Sequence, residues 1–209
     1  MLTLTRTANA GVLLELSGKK ILLDGVSRQV GSFLQTPEHI KNQLQNSYPD
    51  LVAVTHRHQD HCDPDFERLY TEETGRPVIG PSHAGKAFSC GDVTVHVVHS
   101  RHIGRHDCRH VSYILQGSAC VWFVGDASPS QWNRRTDLPK PDVLIVPFAY
   151  AATPSAWRQT CQLGAKSVVL IHMPDRDNDP LGIWEAVEAT VGDGEIFIPK
   201  VEEFVRIAF

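Results

Sequence analysis

The segment Leu51-Val52-Ala53-Val54-Thr55 runs without a break into His56-Arg57-His58-Gln59-Asp60-His61. The first part reads as a strand buried on both faces. The second places three imidazoles and one carboxylate within six positions. Four such ligands so close together cannot all serve one tetrahedral ion. They suit two metal ions side by side, the arrangement that splits a bond with a bridging hydroxide. A chain built this way must fold so that the end of this strand faces further ligands delivered from elsewhere.

Three candidates satisfy that demand. His99 follows the apolar run ending Val97-Val98, Asp126 follows Val121-Trp122-Phe123-Val124-Gly125, and His172 follows Val168-Val169-Leu170-Ile171. With the hexapeptide, four ligand groups sit directly after four apolar strands. In a layered α/β fold, strand ends at one edge open onto a common crevice, and strands hold ligands more precisely than free loops do. His96, His102, His106 and His110 crowd the region of His99. Strand alternation turns His96 away from His99, and His102 is the rival ligand.

The remaining pattern alternates short β runs with helices. Val12 to Leu16 and Lys20 to Leu23 flank Ser17-Gly18 as a hairpin. Thr36 is a cap for a helix over 37–46, and Asp63-Pro64 reads as an N-cap followed by Pro at the first helical position. Arg76 to Gly80 is a short strand, Pro81 to Phe88 a short helix, and Val93 to Val98 a strand. Cys120 to Val124, Val143 to Val146 and Ser167 to Ile171 are further strands, with helices over 154–163 and 181–191. No linker separates domains, so residues 1–209 are expected to form one α/β domain of packed sheets with helices outside.

Composition excludes several classes. The 209 residues carry a net charge of −4, which gives no bulk preference for nucleic acid or anionic membrane. The start, Met1-Leu2-Thr3-Leu4-Thr5-Arg6, lacks the basic and apolar regions of a secretory leader, and no run approaches a membrane span. The five cysteines form no Cys-x-x-Cys pair, so a reducing cytoplasm is the expected location.

The pattern from Ile21-Leu22-Leu23-Asp24 through His56 to His61, Val98-His99, Gly125-Asp126 and Ile171-His172 resembles the metallo-β-lactamase superfamily. Within it, the chain is similar to small cytoplasmic hydrolases that include L-ascorbate 6-phosphate lactonase. The resemblance implies a four-layered αβ/βα sandwich with metals at one edge. It implies that His56, His58 and His99 hold one ion, that Asp60, His61 and His172 hold the other, and that Asp126 bridges them. Flavodiiron-type members carry Glu where this chain has His58, so the resemblance favours hydrolysis over redox chemistry. The segment Asn9-Ala10-Gly11 departs from the family's small-residue or His pattern.

Two divalent ions are therefore expected. Zinc is the default occupant, and Mn²⁺, Fe²⁺ and Ni²⁺ are compatible with the same ligands. Asp60 is expected to orient the nucleophile and accept its proton. Asp24 is expected to bond the second nitrogen of a ligand histidine. The 37 residues after His172 are too few for the helical substrate domain of glyoxalase II enzymes. The expected partner is a small molecule, with anionic character suggested by Arg101, His102 and Arg105 in the loop after His99. The leading expectation is hydrolysis of a small ester, lactone or amide. A phosphodiesterase and a non-catalytic metal-binding protein are the alternatives.

Overall fold

The computed structural model describes the chain except residues 32, 34, 105, 106, 133, 134, 192–195 and 209. Two mixed sheets form the framework. The first contains β1 (Leu2–Arg6), β2 (Val12–Leu16), β3 (Lys19–Leu23), β4 (Leu51–Ala53) and β12 (Phe204–Ile207), in the order β12-β1-β2-β3-β4. The second contains β5 (Ala87–Cys90), β6 (Val93–Arg101), β7 (Arg109–Gln116), β8 (Cys120–Phe123), β9 (Val143–Pro147), β10 (Ser167–Ile171) and β11 (Ile196–Phe197). Its order is β11-β10-β9-β8-β7-β6-β5, parallel from β11 to β8 and antiparallel from β8 to β5.

Period-two alternation decides which side chains fill which layer. Ile21 and Leu23 on β3 join Val95, Tyr113, Phe123, Ile145 and Val169 in the core between the sheets. Leu22 and Val52 point the other way, onto α1 (Glu38–Asn46) and α2 (Pro64–Thr74) through Ile40, Leu44, Phe66 and Tyr70. Trp122, Leu144, Val146 and Leu170 cover the outer face of the second sheet, against α3 (Pro154–Gln162) and α4 (Ile183–Val191). The result is the four-layered αβ/βα sandwich expected from the sequence. Both faces of β9 and β10 are buried, so those strands carry unbroken apolar runs rather than alternating ones.

Local differences have physical causes. Asp63 caps α2 as expected, accepting from Asp65 N–H at 3.1 Å, with Pro64 in the first turn. Thr36 does not cap α1; its hydroxyl oxygen accepts from Ser27 N–H at 2.9 Å inside the preceding loop. Pro81 to His83 is a single 3₁₀ turn, and Ala87–Cys90 is a strand paired with β6 rather than the end of a helix. β1, whose Leu-Thr-Leu-Thr alternation suits a half-buried strand, pairs with both β2 and β12. No helix among the described residues is long and apolar enough to cross a membrane.

Candidate metal centre

Six strand or loop ends meet at one edge of the sandwich: those after β1, β3, β4, β6, β8 and β10. They deliver Asn9, Asp24, the hexapeptide, His102, Asp126 and His172 respectively. Three overlapping groups of ligand atoms result: His56, His58 and His102; His56, His61 and Asp126; and Asp60, His61 and His172. His56 Nε2 lies 2.9 Å from His58 Nδ1. Asp126 Oδ2 lies 3.4 Å from His61 Nε2 and 3.7 Å from both His102 Nε2 and His172 Nε2. Asp60 Oδ2 lies 3.3 Å from His172 Nε2 and 3.6 Å from His61 Nε2. Two atoms bound at about 2.1 Å to one tetrahedral ion stand about 3.4 Å apart, so these spacings suit ligands sharing an ion. One carboxylate oxygen, Asp126 Oδ2, reaches both groups.

The donor set passes a second test. His61 Nε2, His102 Nε2 and Asp126 Oδ1 are buried without a hydrogen-bond partner. Leaving such atoms unpaired costs about 1–3 kcal/mol each, and cations bound to them would remove that cost. The residues present therefore fit divalent metal.

A single carboxylate sets the orientation of two of these rings. Asp24 Oδ1 accepts from Thr55 N–H at 2.7 Å, and its Oδ2 accepts from the Thr55 hydroxyl at 2.7 Å and from His61 Nδ1–H at 2.8 Å. Having donated to Asp24, the Thr55 hydroxyl accepts from His56 Nδ1–H at 3.0 Å. Both rings are thereby turned so that Nε2, which carries the lone pair whenever the ring is neutral, faces the cluster. The role expected of Asp24 is present, with Thr55 as an intermediary that the sequence did not single out. Thr55 also fixes Gly125. A Cβ on Gly125 would stand 2.6 Å from Thr55 Cγ2, and its φ of +54° is a left-handed conformation that favours glycine.

His99 is not brought into the cluster. β6 continues three residues past Val98, to Arg101, and along it His99 and Arg101 are exposed while Val98 and Ser100 are buried. His102, beyond the strand end, takes the place beside His56 and His58; its Nδ1–H donates to Ile103 O at 2.6 Å, which turns Nε2 inward. Of the residues expected to contact substrate, His102 thus joins the metal cluster. Arg101 is exposed, and Arg105 lies outside the described residues.

From the sequence, His110 is only one of the histidines that crowd the region of His99. It lies at the start of β7, buried, and its Nε2 accepts from the Asp126 N–H at 3.1 Å. Its Nδ1–H donates to Ser100 Oγ at 2.7 Å, which leads through Ser112 Oγ to Val124 O. Burial lowers its pKa to about 3, so it acts as a neutral acceptor that fixes the backbone of the bridging aspartate. On the far side of that aspartate, the Tyr150 hydroxyl donates to Ala127 O at 2.7 Å and accepts from Trp132 Nε1–H at 2.7 Å.

His172 is held from another direction. Its φ is +59°, unfavourable for a residue with a Cβ. His172 N–H donates to Asn9 O at 3.0 Å. The buried Arg6 guanidinium donates to Ala8 O, Asn9 O, Met173 O and Pro199 O at 2.8–3.1 Å. Burial lowers the Arg6 pKa only to about 10, so it stays charged. Asn9 Nδ2 lies 3.2 Å from His172 Nε2 and 3.5 Å from Asp60 Oδ2. The departure of Asn9 from the family pattern therefore falls inside the site.

The electrostatics favour positive charge at the centre. Burial alone would lower the His61 pKa, but the Asp126 and Asp24 carboxylates outweigh it and hold the pKa well above its ordinary value. Burial likewise opposes ionisation of Asp126 and Asp60, and the surrounding histidines hold both below the usual carboxylate range. Burial keeps His56 neutral. Cys62 is buried; its thiol contacts His58 O at 3.4 Å, and burial pushes its pKa up to about 11, so it supplies no thiolate to the site.

Comparison with known proteins agrees with this fold. None of the curated proteins matches the sequence. Among solved structures, a novel metallo hydrolase from the hyperthermophilic archaeon Ignicoccus hospitalis superposes with a TM-score of 0.67 at 18% identity, covering 100% of this chain and 99% of that one. The metallo-β-lactamase fold protein YhfI from Bacillus subtilis gives 0.63 at 16% identity, covering 99% and 100%. CmlA, a diiron β-hydroxylase from Streptomyces venezuelae, gives 0.65 at 15% identity, covering 99% of this chain and 54% of that one. At these identities the likeness is one of fold. The family described as the beta-lactamase superfamily domain matches residues 3–172, a span that holds every ligand named above, and the chain belongs to that family.

Proposed function

We propose that this chain is a metal-dependent hydrolase with a dinuclear centre, acting on a small ester, lactone or amide. One observation carries the reading: Asp126 Oδ2 stands within 3.7 Å of imidazole nitrogens from both halves of a seven-residue cluster. His56, His58 and His102 would hold one ion, Asp60, His61 and His172 the other, and Asp126 would join them. Two ions held there supply an activated water and a Lewis acid for the bond to be cleaved.

The chain's own residues do the rest. Asp24 and Thr55 keep His56 and His61 in the ligand tautomer. Asp60, ionised at neutral pH, would accept a proton from the attacking water at a carboxylate oxygen. His110 and Arg6 hold the backbones that carry Asp126 and His172. The likeness to a lactonase found in the sequence belongs to this same reading, as one choice of cyclic ester. The choice of hydrolysis over redox chemistry rests on His58, whose Nδ1 meets His56 Nε2 where a carboxylate would favour iron.

A substrate panel tests the reaction class. Aryl esters, lactones, thioesters and bis-p-nitrophenyl phosphate are assayed before and after chelation. The proposal expects chelator-sensitive turnover of a carboxylic ester, lactone or thioester, restored by divalent metal. Preference for the phosphodiester would move the assignment to phosphoryl chemistry. Bound metal with no turnover on any member would favour a binding protein.

A further inference from the structure

We infer that the hydrolysed substrate carries an uncharged apolar arm, alkyl or aryl, which lies in a cleft leading away from His172; this rests on the hydrolase reading above. The cleft has a volume of about 860 Å³, within the range that takes a whole small-molecule ligand. Asn9 and Phe33 stand at its head. Asn9 Nδ2 is 3.2 Å from His172 Nε2, and the Phe33 ring packs edge-on against the His172 ring with centroids 4.5 Å apart. The cleft therefore adjoins the ligand cluster, with Asn9 and Phe33 between it and His172.

Its floor is apolar. Met173, Trp184, Ile196 and Ile198 line it. Ile196 and Ile198 are only half-buried against the outer core, so each keeps apolar surface for a ligand, and Trp184 is half-buried with one ring face under Arg176. Six charged residues also line the cleft, and most are already engaged. Arg6 is committed to four backbone carbonyls. Arg176 pairs with Glu188 and stacks on Trp184 at 4.1 Å. Asp175 caps Asp177 N–H, and Glu203 accepts from Lys200 N–H at 2.7 Å. Three cations, Arg6, Arg176 and Lys200, stand against three anions, Asp175, Asp177 and Glu203, so the lining has no net charge to select a charged arm. An anionic substrate was expected from Arg101, His102 and Arg105. His102 belongs to the ligand cluster instead, and Arg101 is exposed and does not line this cleft.

Binding to the metal-free full chain tests the cleft apart from catalysis. Neutral amides from butanamide to octanamide are titrated by calorimetry and by tryptophan emission, with hexanoate and hexylammonium as charged counterparts. Affinity should rise about two- to fourfold per methylene until the cleft is filled, and both charged counterparts should bind more weakly than hexanamide. Trp184→Phe should abolish the emission change and keep the calorimetric gradient. Phe33→Ser and Ile198→Asn, each checked for an unchanged melting temperature, should flatten the gradient. A flat series in the parent chain, a gradient untouched by both replacements, or tighter binding of hexanoate would overturn the inference. Chelator-sensitive hydrolysis with a flat series would defeat the cleft alone. A clear gradient in a chain that holds no metal and hydrolyses nothing would defeat the hydrolase reading alone.

Discussion

At the scale of single residues, the site depends on carboxylates that organise histidines. Asp24→Asn keeps the shape but replaces one carboxylate oxygen with a donor, so Thr55 and His61 lose a shared acceptor. Metal affinity should fall by about 10- to 100-fold, read by competition with a chromophoric chelator; unchanged affinity would remove Asp24 from the account. Protonation follows the same logic. His61 without metal is held above its ordinary pKa of 6.5, so it carries a proton on Nε2 at neutral pH that metal must displace. Loading at pH 7 should release that proton, and affinity should fall about tenfold per pH unit below the raised pKa. Calorimetry in two buffers of different ionisation heat measures the release, and its absence would contradict the assignment of His61. Much of this was readable in advance. The hexapeptide, Asp126 and His172 declare themselves because each follows an apolar run. His99 followed one too, and was misplaced because polar Ser100 and Arg101 hid the last three residues of β6. Thr55 and His110 gave no signal, since their role is to bond residues distant in sequence.

At the scale of elements, the ligands are only as fixed as the strand ends that carry them. Gly125→Ala places a methyl group against Thr55 and demands a left-handed conformation of a residue with a Cβ. The expected cost is about 1–3 kcal/mol of stability, together with weaker metal retention because Thr55 orients His56. Chemical denaturation with metal analysis checks both. Arg6 ties the β1–β2 loop to the turns at Met173 and Pro199. Arg6→Gln should loosen His172 selectively, lowering retention of the second ion more than the first; equal loss of both would mean general unfolding. The strands buried on both faces were legible because their apolar runs admit one reading. β5 was not, since Ala87-Phe88-Ser89-Cys90 has no period long enough to separate strand from helix, and only pairing with β6 decides it. β1 shows clean alternation, but its identity as a strand depends on β2 and β12, which flank it from opposite ends of the sequence.

At the scale of the whole molecule, the centre joins the two sheets. His56, His58, Asp60 and His61 follow β4 of one sheet, whereas His102, Asp126 and His172 follow β6, β8 and β10 of the other. Metal held there would therefore stabilise the sandwich as a unit. Free ion at about 100 times its dissociation constant should add about 2.7 kcal/mol per independent site, so chelation should lower the melting temperature and re-addition restore it. A melting temperature indifferent to chelation would mean that the ions do not bridge the sheets. The most direct measurement is the metal content per chain of the parent, His99→Ala and His102→Ala, loaded and desalted identically. Two ions are expected for the parent and for His99→Ala, and one for His102→Ala. A single ion in the parent, or loss on replacing His99 but not His102, would contradict this ligand assignment.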